Sequence, residues 1–243
     1  MSTTRRVPVP PALLAGGPGS LTLPKEVSHY VRDVLRLRGG AALQLFDGAG
    51  RRGRAVLGDD GITVVLEVVE DAPAVDGPAV TLLCALSKGD KLDTVVEKAT
   101  EAGAYAVWPV VAERSVVQLK DERVAGRLER WRRVADAAAR QCGRDHGLVV
   151  RPPMALDQAL EECAGIAARR WLHPGGEVLS RTLSGDEPAV VLATGPEGGW
   201  TAEETARALR GGFVLAGLGP TVLRAETAPL VGLAVTLARA GRL

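Results

Sequence analysis

The hydrophobic pattern changes its period near residue 75. Before that point, short apolar runs alternate with turn signals. Leu21-Thr22-Leu23 is strand-like, and Ala41 to Phe46 alternates toward an Asp47-Gly48 turn. Arg51 to Leu57 and Ile62 to Val69 follow as strands across Asp59-Asp60-Gly61. One helix interrupts them: Val27, Val31, Val34 and Leu35 recur at helical spacing between Lys25 and Leu37, and Gly39-Gly40 is its predicted stop. This pattern fits a small β-barrel-like domain. Asp71 to Pro78, rich in Pro, Ala and Asp, reads as a linker.

Beyond the linker, strands and helices alternate, which predicts a parallel α/β sheet. The predicted strands are 80–85, 105–111, 148–150, 170–172, 189–193 and 213–218. The predicted helices are 90–102, 122–142, 156–166, 201–209 and 225–240. Thr201 and Glu204 have the spacing of a capping box. The last helix carries Leu230, Val231, Leu233, Ala234, Leu237 and Ala238, more apolar surface than one face needs. It is therefore expected to pack partly across a homodimer interface.

Composition sharpens this picture. Hydrophobic residues make up 46% of the 243 and aromatics 3%, so Val, Leu and Ala must build the core. No run approaches the roughly 20 apolar residues of a membrane span. Met1 to Arg6 leads into Val7-Pro8-Val9-Pro10-Pro11 without an apolar stretch, so no secretory signal is expected. Cys84, Cys142 and Cys163 form no CxxC pair, which fits reduced thiols in a cytoplasmic protein. Neither they nor His29 and His146 have metal-ligand spacing, so no metal is expected. The net charge of +1 hides an uneven distribution. Residues 1–54 hold nine basic residues against three acids, 55–111 three against ten, and 123–144 seven against two. Two basic segments in a near-neutral chain point to local contacts with a polyanion.

Three predicted strand ends carry the chemistry: Leu172-His173-Pro174-Gly175-Gly176, Thr194-Gly195-Pro196-Glu197-Gly198-Gly199, and Leu218-Gly219-Pro220 running on to Thr227. Ligands of open parallel sheets gather at such carboxyl ends, and glycine lets backbone approach them. No loop has the spacing of a dinucleotide or P-loop motif, and two carry carboxylates, Glu197 and Glu226. A pyrophosphate is disfavoured there. A neutral adenosine or a cationic sulfonium is more compatible, and the spacing alone does not choose between them.

The chain resembles the RsmE ribosomal RNA methyltransferases of the SPOUT superfamily, nearly end to end. The resemblance rests on Gly195-Pro196-Glu197-Gly198-Gly199, on Leu218-Gly219-Pro220 with Leu223-Arg224 and Glu226-Thr227-Ala228, and on Ser87-Lys88-Gly89-Asp90-Lys91 leading to Glu101. Glu113-Arg114-Ser115, Arg130-Trp131, Gln141 to Arg144, Val34-Leu35-Arg36 and Phe46-Asp47-Gly48 are similar too. It implies a PUA-like RNA-binding barrel over 1–72, a trefoil-knotted α/β methyltransferase domain over 77–243, and a homodimer. The implied reaction is S-adenosylmethionine-dependent methylation of N3 of one uridine of 16S ribosomal RNA. Thr221, Ala225 and Arg140 depart from the family pattern.

Carried onto this chain, the cofactor would be held by Leu172, His173, Thr194, Gly195, Glu197, Gly198, Gly199, Leu218, Gly219 and Leu223. Arg224, expected to be buried, would stabilise the uracil anion. Glu226 is either a general base or a carboxylate binding the amides of its helix start. His29, Arg32, Arg36, Arg38, Arg51, Arg52, Arg140 and Arg144 would neutralise RNA phosphates without reading sequence. The rival readings are a ribose 2′-O-methyltransferase, a non-catalytic RNA-binding protein of ribosome assembly, and, more distantly, a nicotinamide dehydrogenase.

Overall fold

The structure, a computed structural model, describes residues 4–115 and 121–243, and all side chains among them except those of 121–125. Arg123, which opens the second basic segment, thus has its side chain outside the described residues. Two units make up the chain: residues 1–75 with 139–147, and residues 76–138 with 148–243.

In the N-terminal unit, β1 (Arg5–Pro8), β2 (Gly19–Thr22), β3 (Ala42–Phe46), β4 (Arg51–Leu57) and β5 (Thr63–Asp71) form a sheet ordered β1-β3-β4-β5-β2. β1 lies parallel to β3, and the other pairs are antiparallel. Alternate residues of these strands, among them Val7, Leu43, Leu45, Val64 and Leu66, share one buried cluster with Leu14 and Val31. Residues 139–147 complete this unit: Gly147 donates its N–H to Gly48 O at 2.6 Å, and the N–H of Gly50 donates to Asp145 O at 2.9 Å.

Two elements here escaped the periodicity, β1 and the short α1 (Pro11–Ala15). Prolines conceal both. Pro8 is tolerated because β1 is an edge strand, and Pro11 occupies the first helical position, where its missing N–H costs nothing. The predicted 25–37 helix is α2 (Lys25–His29) followed by a π-helical turn, Tyr30–Val34. Its end is a correction. Arg36, at φ 54°, closes the helix, with the N–H of Leu37 donating to Val31 O at 3.1 Å. Gly39 serves a close approach instead: a Cβ there would lie 2.7 Å from Asp59 Cα.

The C-terminal unit is a parallel sheet ordered β12-β10-β11-β6-β7-β8, with β9 also beside β7. Its strands are β6 (Ala79–Ala85), β7 (Ala106–Val111), β8 (Val149–Val150), β9 (Met154–Ala155), β10 (Ala168–Val178), β11 (Ala189–Thr194) and β12 (Val214–Gly217). Its helices are α3 (Lys91–Ala102), α4 (Asp121–Cys142), α5 (Leu156–Glu162), α6 (Ala202–Arg210) and α7 (Thr227–Arg239), α4 running on into the N-terminal unit at residue 139. Both sheet faces are covered. Leu82 and Leu192 face a cluster with Leu92, Val96, Leu233 and Leu237, while Leu83 and Val191 face one with Ala159, Ala208 and Phe213. Strands buried on both faces read as unbroken apolar runs, which is why β6 and β11 are legible as such. Among the described residues, no helix is long and apolar enough to cross a membrane.

The second cluster is anchored by Trp171, fully buried, stacked on Trp200 at 4.0 Å and edge-on to Phe213 at 5.7 Å. Its Nε1 donates to Thr205 Oγ1 at 3.3 Å. Trp171→Ala should cost about 3–5 kcal/mol. Chemical denaturation should show it, as a lowered midpoint at an unchanged m-value.

β10 is longer than the strand predicted over 170–172, and the reason matters for the site. Leu172 and Glu177 both stand opposite Ala216 of β12, so residues 173–176 leave the ladder as a loop and the strand resumes behind it. Gly176 makes that return possible, because a Cβ there would sit 2.5 Å from backbone atoms of Ala216.

Candidate active site

The loop that interrupts β10 after Leu172, the carboxyl ends of β11 and β12 and the starts of α3 and α7 line a cavity of about 590 Å³. Nine of the ten residues expected to hold a cofactor line it: Leu172, His173, Thr194, Gly195, Glu197, Gly199, Leu218, Gly219 and Leu223. Arg224 lines it as well. Gly198 is the exception. Its carbonyl turns to Arg114, whose Nη1 donates to it at 2.8 Å, and it is absent from the cavity wall.

Local contacts fix the walls. Thr194 Oγ1 donates to Leu83 O at 3.3 Å, tying the end of β11 to β6. Gly195 lies against Trp200, where a Cβ would approach the indole to 3.3 Å. Gly199, at φ 67°, donates to Pro196 O at 2.8 Å and closes the turn that presents Glu197. His173 Nδ1 accepts the N–H of Gly175 at 3.0 Å, so the ring braces its own loop. Below the loops, burial pushes the Cys84 thiol up to about 12, which removes it as a nucleophile. All three cysteines are free thiols.

The predicted capping box on α6 forms. The Glu204 N–H donates to Thr201 Oγ1 at 3.1 Å, and Glu204 Oε2 accepts from the Thr201 N–H at 2.8 Å. Glu204 also accepts the N–H of Glu113 at 2.7 Å, and Thr201 Oγ1 donates to Glu113 at 3.2 Å. Glu113 and Arg114 thereby strap the segment after β7 to the Gly-rich turn.

Two expectations for the third loop need correction. Arg224 is not buried: its side chain is 84% exposed, with Nη1 4.0 Å from Glu226 Oε1. Glu226 does not cap its helix. It stands at the N-cap of α7 without a side-chain capping bond, and its Oε2 is buried without a hydrogen bond. A cation that belongs to the family motif but has no expected role there stands nearby. Lys91, on the cavity wall, brings Nζ to 2.6 Å from Glu197 Oε1 and 3.7 Å from Glu226 Oε2. Its hydrogen bond holds the Glu197 carboxyl below the usual carboxylate range.

The cavity is of the size that small-molecule sites occupy, roughly 300–1,000 Å³. Leu172, Leu218, Val222 and Leu223 offer it apolar surface, and Trp200 Nε1 is a buried donor with no partner. Glu197 and Glu226 supply negative charge. This donor set fits a nucleoside bearing a cationic sulfonium and does not fit a polyphosphate. Among the described residues, no group of three or more His, Cys, Asp or Glu could hold a metal ion.

All eight residues expected to bind RNA fall in the N-terminal unit, because 139–147 belong to it. His29 Nδ1 lies 2.7 Å from Asp33, Arg32 contacts the same carboxylate at 3.1 Å, and Arg52 pairs with Glu70 at 2.7 Å. Those pairs offset part of the positive charge. Arg36, Arg38, Arg51 and Arg140 are exposed, while burial lowers the pKa of Arg144.

Residues 76–237 match the RNA methyltransferase domain family, and residues 23–67 match the RNA methyltransferase PUA domain. Ribosomal RNA small subunit methyltransferase E of Synechocystis is 37% identical over 222 residues, covering 88% of this chain and 72% of the relative. Its counterpart in Mycobacterium bovis is 37% identical over 216 residues, covering 86% of this chain and 82% of the relative. The chain belongs to the ribosomal RNA small subunit methyltransferase E family. Solved structures agree with membership of that family. The enzyme of this name from Neisseria gonorrhoeae, bound to S-adenosylmethionine, superposes with TM-score 0.81 at 29% identity, covering 97% of this chain and 98% of that one. A methyltransferase of Legionella pneumophila with the same cofactor bound gives TM-score 0.81 at 32% identity, with the same coverage. The cavity falls wholly within the methyltransferase match of this family member.

Proposed function

We propose that this protein methylates N3 of a uridine in 16S ribosomal RNA of the small ribosomal subunit, with S-adenosylmethionine as methyl donor. One observation carries the reading: three Gly-rich loops and the Glu197 carboxylate close on a single cavity in a chain of this family, with Glu226 3.7 Å from Lys91 on its wall. When bound, S-adenosylmethionine supplies an electrophilic methyl group on a sulfonium.

The reaction breaks the sulfur–methyl bond, forms an N3–methyl bond and releases the N3 proton and S-adenosylhomocysteine. The residues of this chain must do the rest. The loops at 172–176, 194–199 and 218–224 hold the donor, and orientation alone can remove about 7–11 kcal/mol of a barrier. Glu226, whose Oε2 makes no hydrogen bond, accepts the imide proton. Arg224, on an exposed stretch of the cavity rim, swings onto the uracil oxygens as charge develops there. His29, Arg32, Arg36, Arg38, Arg51, Arg52, Arg140 and Arg144 hold the RNA backbone, and the shortage of aromatics favours recognition of folded RNA shape.

The same reading extends to architecture. The methyltransferase domain over 77–243 is a trefoil knot, and residues 1–72 are a PUA-like barrel. What supports the knot is that the β10 loop at 173–176 stands beside β12, while α7 returns from that edge to pack on α3, β6 and β11. The five-stranded sheet and the PUA match support the barrel. Leu230, Val231 and Val235 of α7 are only partly buried, which supports a homodimer joined there.

The test is methylation of 30S particles and of naked 16S RNA with labelled cofactor, followed by digestion and mass spectrometry of the nucleosides. A base-methylated uridine is expected. A ribose-methylated nucleoside would establish the 2′-O reading, and RNA binding without cofactor binding by calorimetry would establish a non-catalytic protein.

A further inference from the structure

Lys91 is the first residue of α3, at the carboxyl end of β6, and so enters the cavity from a fourth loop. Its partners lie far off in sequence, Glu197 on the turn after β11 and Glu226 at the head of α7. An ammonium has three donors in rotatable geometry. One is used on Glu197 at 2.6 Å, and Glu226 Oε2 at 3.7 Å lies beyond hydrogen-bond reach, without any hydrogen bond of its own. Among the described residues, Lys88 also acts on Glu197, Arg114 holds the neighbouring Gly198 carbonyl at 2.8 Å, and the exposed Arg224 stands 4.0 Å from Glu226. Lys91 is therefore a cation common to the Gly-rich turn and the α7 cap. Its side chain is 35% exposed, against 84% for Arg224, so it is held in place before any substrate arrives.

We propose that Lys91 is a positioning residue for methyl transfer, bridging Glu197 and Glu226 so that the donor loop and the proton-accepting carboxylate keep one fixed separation. This rests on the methyltransferase reading above. With substrate bound, Lys91 keeps its bond to Glu197 and lends a second donor to Glu226 until the imide proton arrives. Arginine, with a longer fork but the same charge, can make the same bridge. Methionine, of similar length, cannot.

The test uses the full chain in four forms: wild type, Lys91→Met, Lys91→Arg and Glu197→Gln. Two readouts are followed. The first is the titration of the Glu197 carboxyl by carbon NMR, which needs neither cofactor nor RNA. In wild type it should fall below the usual carboxylate range, and in Lys91→Met it should move up. The second is the single-turnover methylation rate at saturating RNA and cofactor, with cofactor affinity measured separately by calorimetry. Lys91→Met should lose roughly 10–100-fold in rate, the scale of a small misplacement of reacting groups. Lys91→Arg should recover most of that rate, and Glu197→Gln should reproduce much of the loss by removing the carboxylate charge that holds Lys91 from the other end. A Glu197 titration unmoved by Lys91→Met, or a Lys91→Arg variant as slow as Lys91→Met, would overturn the proposal. If Lys91→Met does not fold, Lys91→Arg and Glu197→Gln still decide it. A wild type that shows the NMR signature but neither binds cofactor nor methylates RNA refutes the methyltransferase reading, and with it any part for the bridge in methyl transfer.

Discussion

Gly176→Ala should unfold more easily than wild type and bind S-adenosylmethionine poorly, whereas Gly175→Ala, one residue earlier, should do neither. The difference is steric. A Cβ at 176 would meet the backbone N and C of Ala216 at 2.5 Å, and backbone cannot rotate aside as a side chain can. At 175 the nearest atom is His173 Nδ1 at 3.4 Å, an ordinary contact. Relief at 176 requires β10 and β12 to part where Glu177 pairs with Ala216. Overpacking of this kind costs about 1–3 kcal/mol, and a chain of this length loses roughly 2–4 °C of melting temperature per kcal/mol. A fall of about 2–12 °C is therefore expected, with cofactor affinity lost because His173 and Pro174 of the 173–176 loop line the cavity. Differential scanning fluorimetry and calorimetry measure the two effects. A wild-type melting temperature for Gly176→Ala would show that the two strands tolerate separation and that the glycine is there for another reason.

That glycine also shows where sequence reasoning reaches its limit. The runs at 80–85 and 189–193 are legible because strands buried on both faces must be apolar throughout. The loop at 173–176 and those after β11 and β12 are legible because Gly and Pro cluster there. What decides the site's interior is long-range. Nothing local reveals that β10 resumes after His173-Pro174-Gly175-Gly176, since the resumption depends on Ala216. Nor does local pattern reveal Lys91, whose hydrogen-bond partner is 106 residues away. Gly198 illustrates the converse. It belongs to the motif, yet it faces Arg114 behind the wall rather than the cavity. The exposure of Arg224 and the bare cap at Glu226 depend on how the 218–226 segment leaves β12, which no periodicity encodes. In the N-terminal unit, prolines masked β1, and a left-handed arginine ended a helix where glycines were the expected stop.

Arg224→Ala and a double replacement of Arg32 and Arg36 by Ala should fail in opposite ways. Arg224 is on the rim of the cavity and its guanidinium is free to move, being 84% exposed and no closer than 4.0 Å to Glu226. A donor that meets the uracil only as negative charge develops strengthens in the transition state and adds little to ground-state binding. Its loss should lower single-turnover rate by about 10²–10³, or roughly 2.7–4 kcal/mol, with RNA affinity nearly unchanged. Arg32 and Arg36 belong to the other unit, on and just after the π-helical turn, and both are exposed. If they meet phosphates, their removal weakens RNA binding and flattens its salt dependence by about 0.7–0.9 unit of slope per contact. Arg32 already shares Asp33 with His29, so its phosphate contact competes with that carboxylate, and Arg36 should carry the larger share. Turnover at saturating RNA should then match wild type. Single-turnover methylation across a grid of RNA and salt concentrations separates the two patterns. An Arg224→Ala variant that loses affinity alone, and regains full rate when RNA saturates, would make Arg224 a phosphate contact and leave the uracil anion to be stabilised by another donor of the cavity.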